Sequence, residues 1–282
     1  MAQAATSRLG AEGLEAGYTI GLTGAPGAGK STLTNALVAE MRRHDVRLGV
    51  LAIDPTSPFT GGAILGDRVR MTDHALDEGV YIRSMATRGN LGGLNLSTPG
   101  SVRVLHAAGR PWVIIETVGV GQVEVDIAGA ADTTVVVLNP GWGDAVQANK
   151  AGLMEIADIF VINKADRPGA RETMRDLTAM LKMTDRPGWR PSIVSTTATD
   201  GTGVDELWVA ITEHREYLET SDELAARRRD RSRRELSRIV AERLMARADE
   251  LTGGDAFEAA YRRIESGELD PWTAADHVLD GA

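Results

Sequence analysis

The chain has 282 residues, of which 43% are hydrophobic and 25% charged, a composition typical of an ordinary globular protein. Its formal net charge of −9 disfavours a nucleic-acid partner, because neutralising phosphates requires a surplus of Lys and Arg. The absence of cysteine excludes disulfides, thiolate metal sites and a thiol nucleophile. No apolar run is long enough to cross a membrane and no signal peptide is recognisable, so we expect a cytoplasmic protein.

Short apolar runs rich in β-branched residues alternate with segments of helical periodicity along most of the chain. The runs predicted as strands lie at 18–22, 47–54, 79–85, 111–116, 133–138, 158–163 and 191–195. They are continuously apolar, which suits strands that are covered on both faces. Strand and helix in turn predict an α/β fold with a doubly wound, mostly parallel sheet, in which ligands gather at the carboxyl ends of the strands.

The pattern changes from about residue 219, where strand signals end and one long helix is predicted. Leu236, Val240 and Leu244 recur at four-residue spacing and give this helix a narrow apolar stripe. We expect two shorter helices after it, around 255–265 and 271–280. The predicted organisation is a flexible tail over 1–17, an α/β domain over 18–218 and a helical extension over 219–282.

An arginine-rich run, Arg227–Arg234, lies inside the long predicted helix. It fits a nucleic-acid patch, a solvated helix face with interleaved acids, or an arm that packs on a second subunit. The acidic net charge favours the solvated face.

The segment GAPGAGKS follows the first predicted strand and precedes a helix, which is the setting of a P-loop. Glycines let consecutive backbone N–H groups point at phosphate oxygens, and the helix N-terminus adds its dipole. Lys30 is predicted to reach the β- and γ-phosphates and Ser31 to ligate Mg²⁺. The residues predicted to surround the phosphates are Gly24, Ala25, Pro26, Gly27, Ala28, Gly29, Lys30, Ser31 and Thr32.

A second motif, Asn-Lys-Ala-Asp at residues 163–166, closes another predicted strand and indicates recognition of guanine. Its aspartate can accept two hydrogen bonds, from the N1–H and the exocyclic amine of guanine, whereas adenine has no donor at N1. We therefore expect GTP and GDP as ligands. The residues predicted on the base side are Asn163, Lys164, Asp166, Ser195, Thr196 and Thr197.

Two acids at strand ends indicate the metal side of the site. Asp54 ends the second predicted strand and Glu116 the fourth, and carboxylates beside a triphosphate usually hold Mg²⁺ or its waters. An Asp-Pro turn explains Asp54 equally well on local sequence. Glu116 is the better candidate, because an unpaired charge at the end of a buried strand is costly. Asp67, in the Gly- and Thr-rich loop after Asp54, is compatible with a surface acid.

The segment ETVGVGQ, residues 116–122, lacks the usual water-positioning glutamine, because Val120 follows Gly119. Gln122 either swings in toward the attacking water or caps the following helix, and both readings stay open. We expect slow intrinsic hydrolysis that quickens when a partner reshapes the loops. Lys30, Glu116 and Gln122 are the predicted catalytic residues.

Together these motifs resemble the MeaB/ArgK-type P-loop GTPases, chaperones of adenosylcobalamin-dependent acyl-CoA mutases such as methylmalonyl-CoA mutase. The loops GGAILGDR, ETVGVGQ and PGWGD are the most particular signatures, and they occur in the family's order. The resemblance covers roughly 18–282. Only 17 residues precede the first predicted strand, where family members usually carry a longer helical segment.

The resemblance implies roles for three loops and for the chain as a whole. Residues 54–71 look like switch I, with Asp54 and Asp67 near the metal, and ETVGVGQ looks like switch II, with Glu116 on the metal side. The loop 140–152, a glycine-rich strand-to-helix turn on local pattern, looks like switch III. The implied function is GTP-gated loading of adenosylcobalamin by a metallochaperone that protects or reactivates its mutase, with a C-terminal arm that forms a homodimer. The switch III residues are Gly141, Gly143, Asp144, Gln147 and Lys150.

Three other functions share parts of this pattern. A P-loop kinase acting on a small molecule or protein would prefer ATP and would need a phosphoacceptor site. A nickel metallochaperone with a similar core would bind its metal through Cys and His, but Cys is absent and the five histidines are scattered. A guanine-nucleotide-dependent interaction module would hydrolyse GTP only incidentally.

Overall fold

The computed structural model describes residues 17–54, 72–74, 76–86, 97–117, 126–141, 152, 154–183 and 188–280. Its strands form one sheet in which every neighbouring pair is parallel, in the order β3-β2-β4-β1-β5-β6-β7. The predicted doubly wound α/β sheet is confirmed. The strands are β1 (Tyr18–Gly24), β2 (Leu48–Asp54), β3 (Val80–Ala86), β4 (Trp112–Thr117), β5 (Thr133–Leu138), β6 (Ile159–Asn163) and β7 (Ser192–Thr196).

Two helices lie over the ranges 255–265 and 271–280 that the sequence predicted, whereas the long helix expected from about residue 219 begins at Glu223. The last helix begins with Pro271 at its first position, after Asp270 accepts the backbone N–H groups of Trp272 and Thr273 at 2.9 and 3.2 Å. Short 3₁₀ turns occupy Thr72–His74 and Ile127–Gly129. The helices are α1 (Lys30–Arg43), α2 (Ser97–Ala107), α3 (Ala170–Met183), α4 (Val204–Thr220), α5 (Glu223–Thr252), α6 (Asp255–Glu265) and α7 (Pro271–Asp280).

Strand order places the functional loops together at the carboxyl ends of the central strands. The chain runs outward from β1 to β2 and β3, returns to insert β4 beside β1, and then continues to β5 on the other side. Leu22 of β1 pairs with Glu116 of β4, and Gly24 pairs with Val137 of β5. Ligands of open α/β sheets bind at such a reversal of strand order, outside the carboxyl ends of the strands.

Apolar side chains cover both faces of the central strands. One core joins β1, β4, β5 and β6 to α1 and α4, and smaller cores join the other face to α2 and α3. Strand β3 departs from the expected double coverage, since it is one of the two edge strands of the described sheet and its Tyr81 and Arg83 are exposed. It pairs with one neighbouring strand only, and this partial coverage suits the polar residues in its sequence.

The chain divides into two units, residues 1–228 and 229–282. In the second unit, α6 and α7 pack around Ala260, Ala274 and Val278. Among the helices of the described residues, none combines the length and the apolar character needed to cross a bilayer.

The arginine-rich run is only partly the solvated face that its sequence predicted. Arg229, Arg233 and Arg234 are exposed, but Arg227 and Arg228 form ion pairs with buried aspartates of the first unit. The interpretation was therefore wrong for these two arginines, because the acids that pair with them lie far away in the sequence.

Candidate nucleotide-binding site

The loop between β1 and α1 has the backbone that its glycines predicted. Gly27 and Gly29 have φ values of 77° and 89°, in the left-handed region that favours glycine. Gly29 also has no room for a side chain, because an added Cβ would lie 2.5 Å from Nδ2 of Asn163. The loop thus owes its shape to glycine for two separate reasons.

Lys30 is buried at the start of α1 and its ammonium group lies against the loop that precedes it. Its Nζ donates hydrogen bonds to the backbone oxygens of Gly24 at 2.6 Å and Ala25 at 3.0 Å. The amine is therefore held at the loop, where a phosphate group of a nucleotide would meet it.

The metal-side prediction brings together residues that are far apart in the sequence. The Ser31 hydroxyl donates a hydrogen bond to Oε1 of Glu116 at 2.5 Å, and the Glu116 side chain is only 1% exposed. Asp54 is 4% exposed and lies two residues beyond Ala52, which pairs with Glu116 across β2 and β4. Thr117 donates to Thr23 at 3.0 Å and ties the ends of β4 and β1 together.

These donors suit Mg²⁺, which takes hard oxygen ligands. Among the described residues no group of three or more His, Asp or Glu side chains is placed to hold a metal. That result is compatible with Mg²⁺, because this ion is usually held by one or two carboxylates together with phosphate oxygens and water. Ser31, Asp54 and Glu116 are such a set, and Asp67 lies outside the described residues.

Asn163 joins the phosphate side of the site to the base side. Its Nδ2 donates to the backbone oxygen of Ala28 at 2.8 Å. Its Oδ1 accepts hydrogen bonds from the Thr196 hydroxyl at 3.1 Å and from the Ala198 backbone N–H at 3.2 Å. Three loops that start from β1, β6 and β7 are therefore fixed to one another through a single amide side chain.

Lys164 and Asp166 take opposite positions after β6. Lys164 has a φ of 58° and its Nζ donates to the backbone oxygen of Gly27 at 2.6 Å, so its side chain lies across the P-loop. Asp166 is exposed, as a residue must be if it is to meet the edge of a base. Ser195 is half-buried, and Thr197 forms an isolated bridge with Thr202.

One of the predicted switch III residues belongs to the part of the chain that the structure describes. Gly141 has a φ of 81° in the turn after β5. The other predicted switch III residues, Gly143, Asp144, Gln147 and Lys150, and the predicted catalytic Gln122 lie outside the described residues.

Two residues that contact the site are not among the residues predicted for it. Ala198 contributes only its backbone N–H, which no residue-type pattern reveals. Thr117 follows Glu116 directly, and the register of β4 against β1 could have identified it.

A P-loop at the end of β1, an acid at the end of β4 in contact with it, and an Asn-Lys-x-Asp turn after β6 define the class of P-loop GTPases. A family model described as methylmalonyl-CoA mutase-associated GTPase MeaB matches residues 4–252. The chain belongs to this family and is a GTPase, as its motifs predicted.

Relatives and a solved structure agree with this assignment. A protein of Pyrococcus abyssi (strain GE5 / Orsay) that is named a GTPase is 52% identical over 266 residues, covering 93% of this chain and 82% of the relative. The mouse protein named methylmalonic aciduria type A homolog, mitochondrial, is 34% identical, over 93% of this chain and 65% of its own length. The crystal structure of a LAO/AO transport system kinase superposes with a TM-score of 0.69 at 26% identity, covering 99% of this chain and 86% of that one.

Proposed function

We propose that this GTPase is a metallochaperone that gates the loading of adenosylcobalamin into an acyl-CoA mutase and protects or reactivates that mutase. Methylmalonyl-CoA mutase or a close relative is the proposed client, and the description of the matching family supports it. The observation that carries the gating proposal is the contact between Ser31 and Glu116. Glu116 is the first residue of ETVGVGQ, so a change on the phosphate side reaches the start of that segment directly.

The reaction is GTP + H₂O → GDP + phosphate, driven by positioning and charge stabilisation. Lys30 binds the β- and γ-phosphate oxygens once its ammonium group exchanges the Gly24 and Ala25 carbonyls for them. Ser31, Asp54 and Glu116 would hold Mg²⁺, which neutralises charge on the phosphate oxygens when bound. Asp166 accepts the two guanine hydrogen bonds, and this preference separates the proposal from an ATP-dependent kinase.

The partner supplies the acceleration. Val120 occupies the position where a water-positioning glutamine is common, so hydrolysis by the free protein is slow. A mutase that reshapes residues 54–71, 116–122 and 140–152, the proposed switches I, II and III, brings Gln122 or a group of its own to the water. We further propose that the protein acts in the cytoplasm as a homodimer.

The test compares three proteins in single-turnover GTP hydrolysis and in transfer of adenosylcobalamin to a purified methylmalonyl-CoA mutase. The unchanged protein should hydrolyse GTP at least about tenfold faster with the mutase, because partner-supplied groups contribute several kcal/mol to such reactions. Glu116→Gln should retain nucleotide but lose most Mg²⁺-dependent hydrolysis in both conditions. Asp205→Asn, a change of an exposed acid in the first turn of α4, should behave like the unchanged protein.

Two results would contradict the proposal. Hydrolysis that is equally fast with and without the mutase would show that the mutase does not gate the reaction. If cobalamin is transferred equally well with GDP and with a non-hydrolysable GTP analogue, the bound nucleotide does not control loading.

A further inference from the structure

A buried polar cluster lies at the amino ends of the central strands, the ends opposite the nucleotide loops. Asp132 and Asp158 stand directly before β5 and β6 and are 1% and 2% exposed. Oδ2 of Asp132 accepts the backbone N–H of Thr19 at 2.9 Å, and Oδ2 of Asp158 accepts that of Thr134 at 2.8 Å. These two carboxylates therefore connect the amino ends of β1, β5 and β6.

The cations that neutralise these carboxylates come from the start of α5. Arg228 donates to the two oxygens of Asp132 at 3.3 and 3.1 Å, through Nε and Nη2. Arg227 donates to both oxygens of Asp158 at 3.1 and 3.2 Å. Arg228 also binds the backbone oxygen of Gly17, directly before β1. Removing one partner of a buried pair leaves a charge without compensation, so the strand ends depend on these arginines.

Neighbouring hydrogen bonds make the cluster continuous with α4. The Tyr18 and Thr133 hydroxyls are 2.6 Å apart, and Thr133 Oγ1 lies 2.8 Å from Nδ1 of the fully buried His214. Trp189 donates its ring N–H to the backbone oxygen of Asp158 at 2.8 Å and packs against the His214 ring. Polar networks that are satisfied in this way rigidify the region that they connect.

The same strands carry the nucleotide loops at their other ends. β1 ends at Gly24, where the P-loop begins, and β6 ends at Asn163, while β5 lies between them and pairs with both. Every residue of the three strands is buried. Packed interiors have low compressibility and transmit displacements, so the two ends of a strand do not move independently.

We propose that Arg227 and Arg228 are positioning residues for the nucleotide site. By fixing the amino ends of β1, β5 and β6, they fix the loops that hold phosphate and base at the carboxyl ends. Loosening the start of α5 therefore weakens the hold on guanine nucleotide, although neither arginine contacts it.

The experiment measures the release of a fluorescently labelled GDP from the full chain, chased by unlabelled GDP. Arg228→Gln should release GDP about five- to tenfold faster, the lower range of coupling between separate sites. Arg228→Lys should show a smaller increase, since lysine keeps the charge but cannot form the two parallel hydrogen bonds. Arg229→Gln, at the exposed neighbouring position of the same helix, should release GDP at the unchanged rate.

A general loss of stability is separated by Leu105→Ala, which truncates a buried side chain of α2 in a core that includes neither a residue of the cluster nor one of the nucleotide loops. This variant should unfold more easily and yet release GDP normally. Equal release rates for Arg228→Lys and Arg229→Gln would overturn the proposal, and so would an acceleration in Leu105→Ala as large as that in Arg228→Gln. If Arg228→Gln does not fold, the comparison of Arg228→Lys with Arg229→Gln decides alone.

Discussion

At the scale of single residues, the site depends on the close approach of Gly29 to Nδ2 of Asn163, which come from distant parts of the chain. Asn163 reaches the P-loop only because Gly29 has no side chain, and Gly27, two residues earlier, faces open space. Both glycines have left-handed backbones. Adding a side chain at each glycine therefore separates the cost of the left-handed backbone, which both share, from the cost of the steric conflict, which only Gly29 has.

Gly29→Ala should lower the free energy of unfolding by about 3 kcal/mol or more, because strain in the left-handed region adds to the displacement of Asn163. Gly27→Ala should cost only about 1–2 kcal/mol, the conformational part alone. Urea unfolding without nucleotide measures both. Equal losses in the two variants would show that the Asn163 contact is unimportant for stability.

At the scale of elements, one ion pair attaches α1 to the segment that leads into β3. Nε of Arg42 donates to Oδ2 of Asp77 at 2.8 Å, while Oδ1 of Asp77 accepts the N–H of Gly79 at 2.7 Å. The hydrogen bond from Arg42 and the one from Gly79 hold the pKa of Asp77 below its ordinary value. Since α1 begins with Lys30, the pair also braces the helix that carries the phosphate-binding lysine.

Asp77→Asn should therefore destabilise the protein by about 1 kcal/mol at pH 7, the usual magnitude for a partly exposed charged hydrogen bond. A lowered pKa in the folded state contributes stability above the unfolded value, which is lost as the pH falls through the folded value. The difference in the free energy of unfolding between Asp77→Asn and the unchanged protein should then shrink below about pH 4. Urea unfolding from pH 7 to pH 3 measures it. Asp45→Asn serves as the control, because Asp45 is 98% exposed and 3.5 Å from the same arginine, and it should change little.

At the scale of the whole molecule, α5 is unusual because none of its 30 residues is buried. Most helical stability in proteins comes from packing of an apolar face. Leu236, Val240 and Leu244 are 63%, 48% and 63% exposed along one stripe. A second copy of the chain is the partner that the proposed homodimer supplies for this stripe.

Leu236→Glu with Val240→Glu should raise the dimer dissociation constant by at least about a hundredfold, since each change places a charge in an apolar interface. Sedimentation velocity over a range of concentrations measures the change. Ser237→Glu with Ala241→Glu adds the same charges one position away from the stripe and should leave the dimer intact. Identical sedimentation of the two double variants would exclude the stripe as the contact.

Much of this molecule could be predicted from local sequence. Apolar runs locate strands because burial on both faces requires them, and the acids at strand ends follow from the topology of a parallel sheet. The contact of Ser31 with Glu116 brings two of the predicted metal-side residues together, and their role toward Mg²⁺ stays a prediction. The cluster around Asp132 and Asp158 could not be predicted, because each acid finds its arginine in a segment that looks solvated when it is considered alone.

The contact between Gly29 and Asn163 also limits how sequences with this fold can diverge. The two residues are 134 positions apart, yet a side chain at the first position excludes the amide at the second. A lineage that gains alanine at position 29 must therefore turn the amide away, replace the asparagine or shift β6, and each change disturbs Thr196 and Ala198 on the base side. Evolution of the phosphate-binding loop is thereby tied to evolution of base selectivity.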